Sequence, residues 1–173
     1  MYSKENVEIL FEGAQGFGLD IDHGDYPYVT SSHCTTAAAL LNGVPPQAIR
    51  NVWGVAKIYE TYVGAKNFQP EGDVFNALQS IGEEFGATTG RKRQCNWMDL
   101  QTLLKAVRMN GVTDLVFNKM DVLEQIGEWK IYNGESIVDF QNQEDLKRWV
   151  TSYLTFHSSG VNNIYFSGNK DRI

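Results

Sequence analysis

Apolar positions along this chain fall into short runs with two different periods. Residues 52–63 (V-W-G-V-A-K-I-Y-E-T-Y-V) alternate and are rich in β-branched and aromatic side chains, which predicts one strand. Residues 7–11, 115–117, 129–132 and 163–166 are shorter apolar runs and read as further strands. Helical spacing governs residues 74–81 through Val74, Phe75, Leu78 and Ile81, and residues 100–109 through Leu100, Leu103, Leu104 and Val107, closed by Asn110-Gly111. It governs residues 143–156 through Leu146, Trp149, Val150, Tyr153 and Leu154. Residues 35–41 add a short Ala/Leu helix ended near Gly43, with Ser31, Ser32 and Thr35 as candidate caps, and residues 47–50 begin another element. Residues 64–72 and 82–93 read as loops, and residues 1–6 as a polar, poorly ordered start or the remnant of a helix. Strands alternating with helices indicate an α/β class, a largely parallel sheet flanked by helices with ligand loops at the strand ends, built as a single domain over residues 1–173.

Composition narrows the partners. A compact domain of 173 residues buries roughly 70% of the surface its unfolded chain exposes, so a core is expected. The formal charge is −6 and the pI near 5.0, with basic residues scattered, which argues against nucleic acid or an anionic membrane surface. Cys34 and Cys95 lie far apart and read as reduced thiols, although a disulfide is left open. No apolar run approaches the ~20 residues of a membrane span, and the expected location is the cytoplasm. Trp53, Trp97, Trp129 and Trp149 read as core or partly buried packing residues.

Three stretches carry candidate chemistry. Residues 11–32, F-E-G-A-Q-G-F-G-L-D-I-D-H-G-D-Y-P-Y-V-T-S-S, place Gly13, Gly16, Gly18 and Gly24 after a predicted strand, with Gln15, Asp20, Asp22, His23 and Thr30 between them. Glycines there allow φ > 0 and close approach to a ligand, and the mixed polar side chains suit a polar small molecule; a plain Gly-rich connection is the competing reading. Asp20, Asp22, His23, His33 and Cys34 match no standard zinc spacing and read as hydrogen-bonded structural groups. The second stretch, G-A-T-T-G-R-K-R at residues 86–93, sets two hydroxyls between glycines and ends in three cations, a composition suited to carboxylate and phosphate oxygens. Alone, a basic turn of this kind is more often a solvated surface. The third, Asn118-Lys119-Met120-Asp121, follows the strand at 115–117. An aspartate there can accept from both N1–H and the exocyclic amine of guanine, whereas adenine offers no donor at N1. The four residues also match the guanine motif of GTPases, but no G-x-x-x-x-G-K-[ST] phosphate loop occurs in the chain.

Together, F-E-G-A-Q-G with L-D-I-D-H-G and Y-P-Y-V-T-S-S, E-F-G-A-T-T-G-R-K-R at 84–93 and N-K-M-D-V-L at 118–123 closely resemble the adenylosuccinate synthetases, in family order over most of residues 10–123. The resemblance implies a P-loop-NTPase-like synthetase fold. It implies a GTP-dependent ligase of AMP biosynthesis that joins IMP and L-aspartate into adenylosuccinate. It nominates Gln15, Thr30, Val63 and Arg91 for IMP. Ala87, Thr88, Thr89, Gly90, Arg91, Lys92 and Arg93 fall to aspartate, and Arg93, Lys119, Met120, Asp121, Ser167, Gly168 and Asn169 to GTP. The last motif, commonly S-x-G-P-D-R, becomes S-G-N-K-D-R here, so Asn169 and Lys170 depart from it. Tyr62 stands where the family usually carries arginine, and residues 32–35 form a stretch one residue longer than usual.

The family's phosphate loop, catalytic aspartate and catalytic histidine, in G-D-E-G-K-G-K and G-H-N-A-G-H-T segments, are not in this sequence. The chain therefore reads as a C-terminal half in a compact archaeal or viral-like form. No catalytic or metal residue is assigned to it, and Mg²⁺ ligands are expected in the N-terminal half. A second polypeptide carrying that half and a homo-oligomer are the expected partners. The alternatives are a non-catalytic nucleotide-binding module, a truncated fragment, or a viral variant acting on a different purine nucleotide.

Overall fold

In a computed structural model of the chain, residues 7–86 and 90–169 are described. The expectations for residues 1–6 and for Ala87, Thr88, Thr89 and Lys170 lie outside them. The chain divides into two compact units, Met1–Arg50 and Asn51–Ile173.

The first unit is built of turns around one aspartate. Asp20 is 0% exposed, and its carboxylate accepts the backbone N–H groups of Asp22 and His23 on one oxygen and of Cys34 on the other, at 3.0, 2.9 and 2.6 Å. Burial pushes the carboxyl up, but those donors outweigh it and hold the pKa below the usual range. Ile21 N–H to Ser32 O and Thr30 N–H to Leu19 O close the same loop. Gly24 is required here, because a Cβ would sit 2.5 Å from the carbonyl oxygens of both Asp20 and Gly18. Gly13, Gly16 and Gly18 meet no such crowding; the positive φ of the segment falls instead on Gln15, at 68°. Helix α1, Ala37–Leu41, ends near Gly43 as the sequence predicts, but its N-cap is Thr36, not Ser31, Ser32 or Thr35, and makes no side-chain cap hydrogen bond. Residues 7–11 are not a strand. Val7, Ile9, Leu10 and Phe11 are exposed, and no described strand pairs with them, so the apolar run has no ladder to join.

The second unit carries the sheet. Strands β1 (Trp53–Lys57), β4 (Asp114–Asn118) and β7 (Asn163–Phe166) run parallel in the order β1-β4-β7. Val55 lies beside Val116, and Val116 beside Tyr165. Two antiparallel ribbons accompany it: β2 (Tyr59–Tyr62) with β3 (Gln94–Trp97), and β5 (Trp129–Tyr132) with β6 (Ile137–Phe140). The predicted strand at 52–63 is thus two strands in two sheets. Ile58 and Tyr59 are both buried in succession, at 0% and 1% exposure, and that pair breaks the alternation where the chain changes sheet.

Helices α2 (Asp73–Ile81), α3 (Leu100–Asn110), α4 (Met120–Ile126) and α5 (Gln143–His157) complete the unit. Helix α3 starts on the Asp99 side chain, which accepts from Gln101 and Thr102 N–H, and stops at Gly111 with φ 62°. Asn142 caps α5 through Asp145 N–H. The core takes Leu115 and Phe117 from β4, Leu78 from α2, Leu104 from α3, Leu123 from α4 and Leu146, Val150 and Leu154 from α5. Phe117 stacks on Phe166 with centroids 5.1 Å apart. The opposite sheet face is different: Trp53 stacks on Tyr165 but is 52% exposed, against the packing role expected of it, and Val55 is 68% exposed. Both cysteines are free thiols, Cys95 buried. No helix among the described residues is long and apolar enough to cross a membrane.

Candidate functional site

The carboxyl ends of β1, β4 and β7 open side by side, the place where parallel α/β sheets present ligand loops. Asn118 ends β4, and Lys119 turns the chain with φ 66° and ψ 24°, a conformation uncommon for a side chain of this size, before α4 starts at Met120. Asp121 therefore lies in the first turn of α4. The loop after β7 comes to meet it. Ser167 N–H donates to Phe117 O, Met120 N–H donates to Ser167 O at 3.2 Å, and a Cβ on Gly168 would lie 3.8 Å from Asp121 N. Lys119, Met120, Asp121, Ser167 and Gly168 are brought together by this arrangement, although 46 residues separate Asp121 from Ser167 in sequence. Asn169 follows at the surface, its carbonyl accepting from the Ser167 hydroxyl at 2.6 Å.

Beside this group lies a buried carboxylate that the sequence reading passed over. Glu84 accepts from the Tyr59 hydroxyl at 2.7 Å on one oxygen, and from Lys57 Nζ at 2.7 Å and Arg93 Nη1 at 2.8 Å on the other. Burial pushes the Glu84 carboxyl up, but the donors from Lys57, Tyr59 and Arg93 together hold its pKa below the ordinary value. Burial lowers the Lys57 pKa and raises those of Tyr59 and Cys95, the last to about 11. Lys119 Nζ donates to Gly82 O at 2.9 Å, so the turn before α4 is tied to the same corner. A signal was present: Lys57 falls inside the apolar run at 52–63, and a cation there needs a partner.

Residues 85–86 and 90–93 form a short stem at this corner. Phe85 and Lys92 form an antiparallel bridge, Gly86 N–H donates to Arg91 O and Arg93 N–H to Glu84 O. Gly90 sits at φ 61° with its N–H on Gly86 O. Arg91 and Lys92 are exposed, while Arg93 is half-buried against Glu84. Val63 follows β2 and is 38% exposed. Of the four residues nominated for IMP, Val63 and Arg91 belong to the second unit, and Gln15 and Thr30 to the first.

Metal chemistry finds little to hold. Among the described residues, the cluster of acidic and imidazole groups close enough to share an ion is Asp20, Asp22 and His33. Asp20 is spent on three backbone donors, and His33 Nδ1 lies 3.3 Å from Asp22, a set that does not resemble the oxygen octahedron Mg²⁺ requires. Glu84 is likewise consumed by its partners, so neither of these two groups suits a Mg²⁺ ion.

Comparison with known proteins agrees with the arrangement. The family model for adenylosuccinate synthetase matches residues 1–161. The chain is 47% identical over 147 residues to the adenylosuccinate synthetase of Syntrophomonas wolfei, covering 80% of this chain and 34% of that protein. It is 46% identical over 151 residues to that of Yarrowia lipolytica, covering 83% and 35%. A fully ligated adenylosuccinate synthetase from Plasmodium falciparum superposes with TM-score 0.72 at 25% identity, over 91% of this chain and 47% of that one. A cyanophage S-2L succinoaminodeoxyadenylate synthetase shares the fold, at TM-score 0.51 and 20% identity. The chain thus spans about a third of the length of the curated relatives it matches. With a matched family model over residues 1–161 and relatives 46–47% identical over most of the chain, the chain belongs to the adenylosuccinate synthetase family.

Proposed function

We propose that this chain supplies the guanine-reading end, the aspartate loop and part of the IMP site of a GTP-dependent adenylosuccinate synthetase. What supports the reading is the meeting of Lys119, Met120 and Asp121 with Ser167 and Gly168 at the carboxyl ends of β4 and β7. In the reaction so read, the γ-phosphoryl of GTP passes to the 6-oxygen of IMP, and the aspartate amine displaces phosphate at C6. Asp121 accepts from guanine N1–H and the exocyclic amine, with Lys119, Met120, Ser167, Gly168 and Asn169 around the base and Arg93 on the nucleotide side. Residues 87–93 hold the aspartate carboxylates through hydroxyls, backbone N–H groups and cations. Gln15, Thr30, Val63 and Arg91 contact IMP. The phosphate cradle, the Mg²⁺ ligands and the groups that activate the nucleophile come from the remainder of the synthetase, as a second polypeptide.

The test is nucleotide selectivity in the chain combined with that remainder. Loss of a bidentate base contact changes affinity by about 1–3 kcal/mol, or roughly 5- to 150-fold. GTP is expected to bind that much tighter than ATP, and Asp121→Asn to weaken GTP while favouring xanthosine triphosphate, whose 2-oxo group accepts from the new amide. Unchanged GTP preference in Asp121→Asn would remove this residue from the base pocket, and an ATP preference in the wild type would assign the site to a different purine chemistry.

A further inference from the structure

We infer that Glu84 is a positioning residue for the aspartate loop: its carboxylate sets where Arg93 and Lys57 stand and thereby links loop geometry to the purine end. The inference rests on the function proposed above. The Glu84 side chain is only 2% exposed, and the three groups it holds arrive from separate places: Lys57 from the end of β1, Tyr59 from the start of β2, and Arg93 from the residue before β3. A buried carboxylate left without partners is costly, so the three donors and the acceptor hold one another in place.

Arg93 has five N–H donors; pinning Nη1 to Glu84 fixes the plane of the guanidinium while leaving donors for an anionic ligand. The main chain of Glu84 reinforces the arrangement, its carbonyl accepting from Arg93 N–H at 2.9 Å and its N–H donating to Gln79 O at 2.9 Å. Glu84 thus stands at the foot of the stem formed by the Phe85–Lys92 bridge, which carries Gly90, Arg91 and Lys92, all nominated for aspartate. One residue earlier, Glu83 sits at φ 51°, and two residues earlier Gly82 O receives Lys119 Nζ. Displacement at this corner is felt by the guanine-reading turn as well as by the loop.

The experiment pairs kinetics with amide exchange. Glu84→Gln keeps the side-chain size and removes the charge that attracts Lys57 and Arg93. In the chain combined with the rest of the synthetase, the KM for L-aspartate should rise about tenfold. The KM for IMP should rise less, since of its four nominated contacts Arg91 alone lies on the loop and Gln15, Thr30 and Val63 lie off it. In the chain itself, exchange at the Gly86 and Arg93 amides should accelerate, with a smaller acceleration in Tyr59→Phe, which removes one neutral donor. An unchanged aspartate KM, or equal changes for aspartate and IMP, would overturn the positioning role. If Glu84→Gln does not fold, Tyr59→Phe carries the test, and unaltered exchange at Arg93 in it counts against the inference. A wild-type combination with no synthetase activity would sink the functional reading instead, while the exchange measurement still judges the loop.

Discussion

Replacing Gly82 by alanine should damage the site's foundation through one methyl group. Gly82 has φ −73° and ψ −4°, so alanine suffers no backbone strain there and gains about 0.5–1 kcal/mol over glycine in helical conformation. Space decides against it. The new Cβ would lie 2.3 Å from the Tyr59 hydroxyl oxygen, 2.7 Å from Leu78 O and 3.2 Å from Glu84 Cγ. Tyr59 and Leu78 are 1% and 0% exposed, leaving neither room to yield toward solvent. Overpacking of this kind costs about 1–3 kcal/mol. Driving the hydroxyl off a buried carboxylate costs about 1.5–3 kcal/mol more. The net expectation is a loss of about 2–5 kcal/mol, measured by urea denaturation at low protein concentration with the fluorescence of the second unit's tryptophans, Trp97 being buried. In a Tyr59→Phe background the penalty should shrink by about 1 kcal/mol or more without vanishing, because Leu78 O still obstructs the methyl. Gly82→Ala as stable as the wild type, or equally costly in both backgrounds, would refute this account of the Tyr59–Glu84 corner.

Two further outcomes follow from individual side chains. Arg91→Leu should raise the aspartate KM or lower kcat by roughly 10- to 150-fold, the equivalent of about 1.5–3 kcal/mol for a charge-assisted hydrogen bond; steady-state kinetics indistinguishable from wild type would clear Arg91 of the role. Burial raises the Glu60 carboxyl to about 7, partly opposed by the Asp99 N–H it accepts. An acid with a raised folded pKa loses stability as pH climbs from its ordinary value of 4.5 to about 7, so Glu60→Gln should melt higher than wild type at pH 8 and show no gain at pH 4. An equal difference at both pH values would contradict that origin.

Helices α2, α3 and α5 were legible because each has an apolar stripe in the sequence, joined in α3 by an end signal, Leu100, Leu103, Leu104 and Val107 before Asn110-Gly111. Short strands such as β4, β5 and β7 were legible as apolar runs. Periodicity failed where pairing, rather than burial, makes the element. Strand β3 reads Q-C-N-W and is held by its ladder with β2 and by Gln69 and Phe68, which no local pattern announces. Strand β6 and helix α4 were missed for related reasons: β6 is half-exposed, and α4 is a short helix that begins inside the N-K-M-D motif. The break at Ile58 was hidden because both halves of 52–63 satisfy strand propensity. For the site, motif spacing pointed to Asp121 and Arg93, but Glu84 gains its meaning from Lys57 and Tyr59, 27 and 25 residues away in sequence. Only the folded chain brings those charges to one point.

The most direct test of the central claim is adenylosuccinate formation by the 173-residue chain alone and in combination with the remainder of a synthetase. The chain carries no phosphate loop, so its hold on GTP should come from the guanine end alone. The parallel sheet also leaves the outer side of β1 without a partner among the described residues, and exposes Trp53 and Val55 on a face that parallel sheets normally cover. The assay should combine IMP, L-aspartate, GTP and Mg²⁺ with the purified chain, whose mass in solution is determined in the same buffer. The account predicts no turnover and self-association for the chain alone, with activity appearing when the remaining polypeptide is supplied. A monodisperse monomer that forms adenylosuccinate unaided would contradict it.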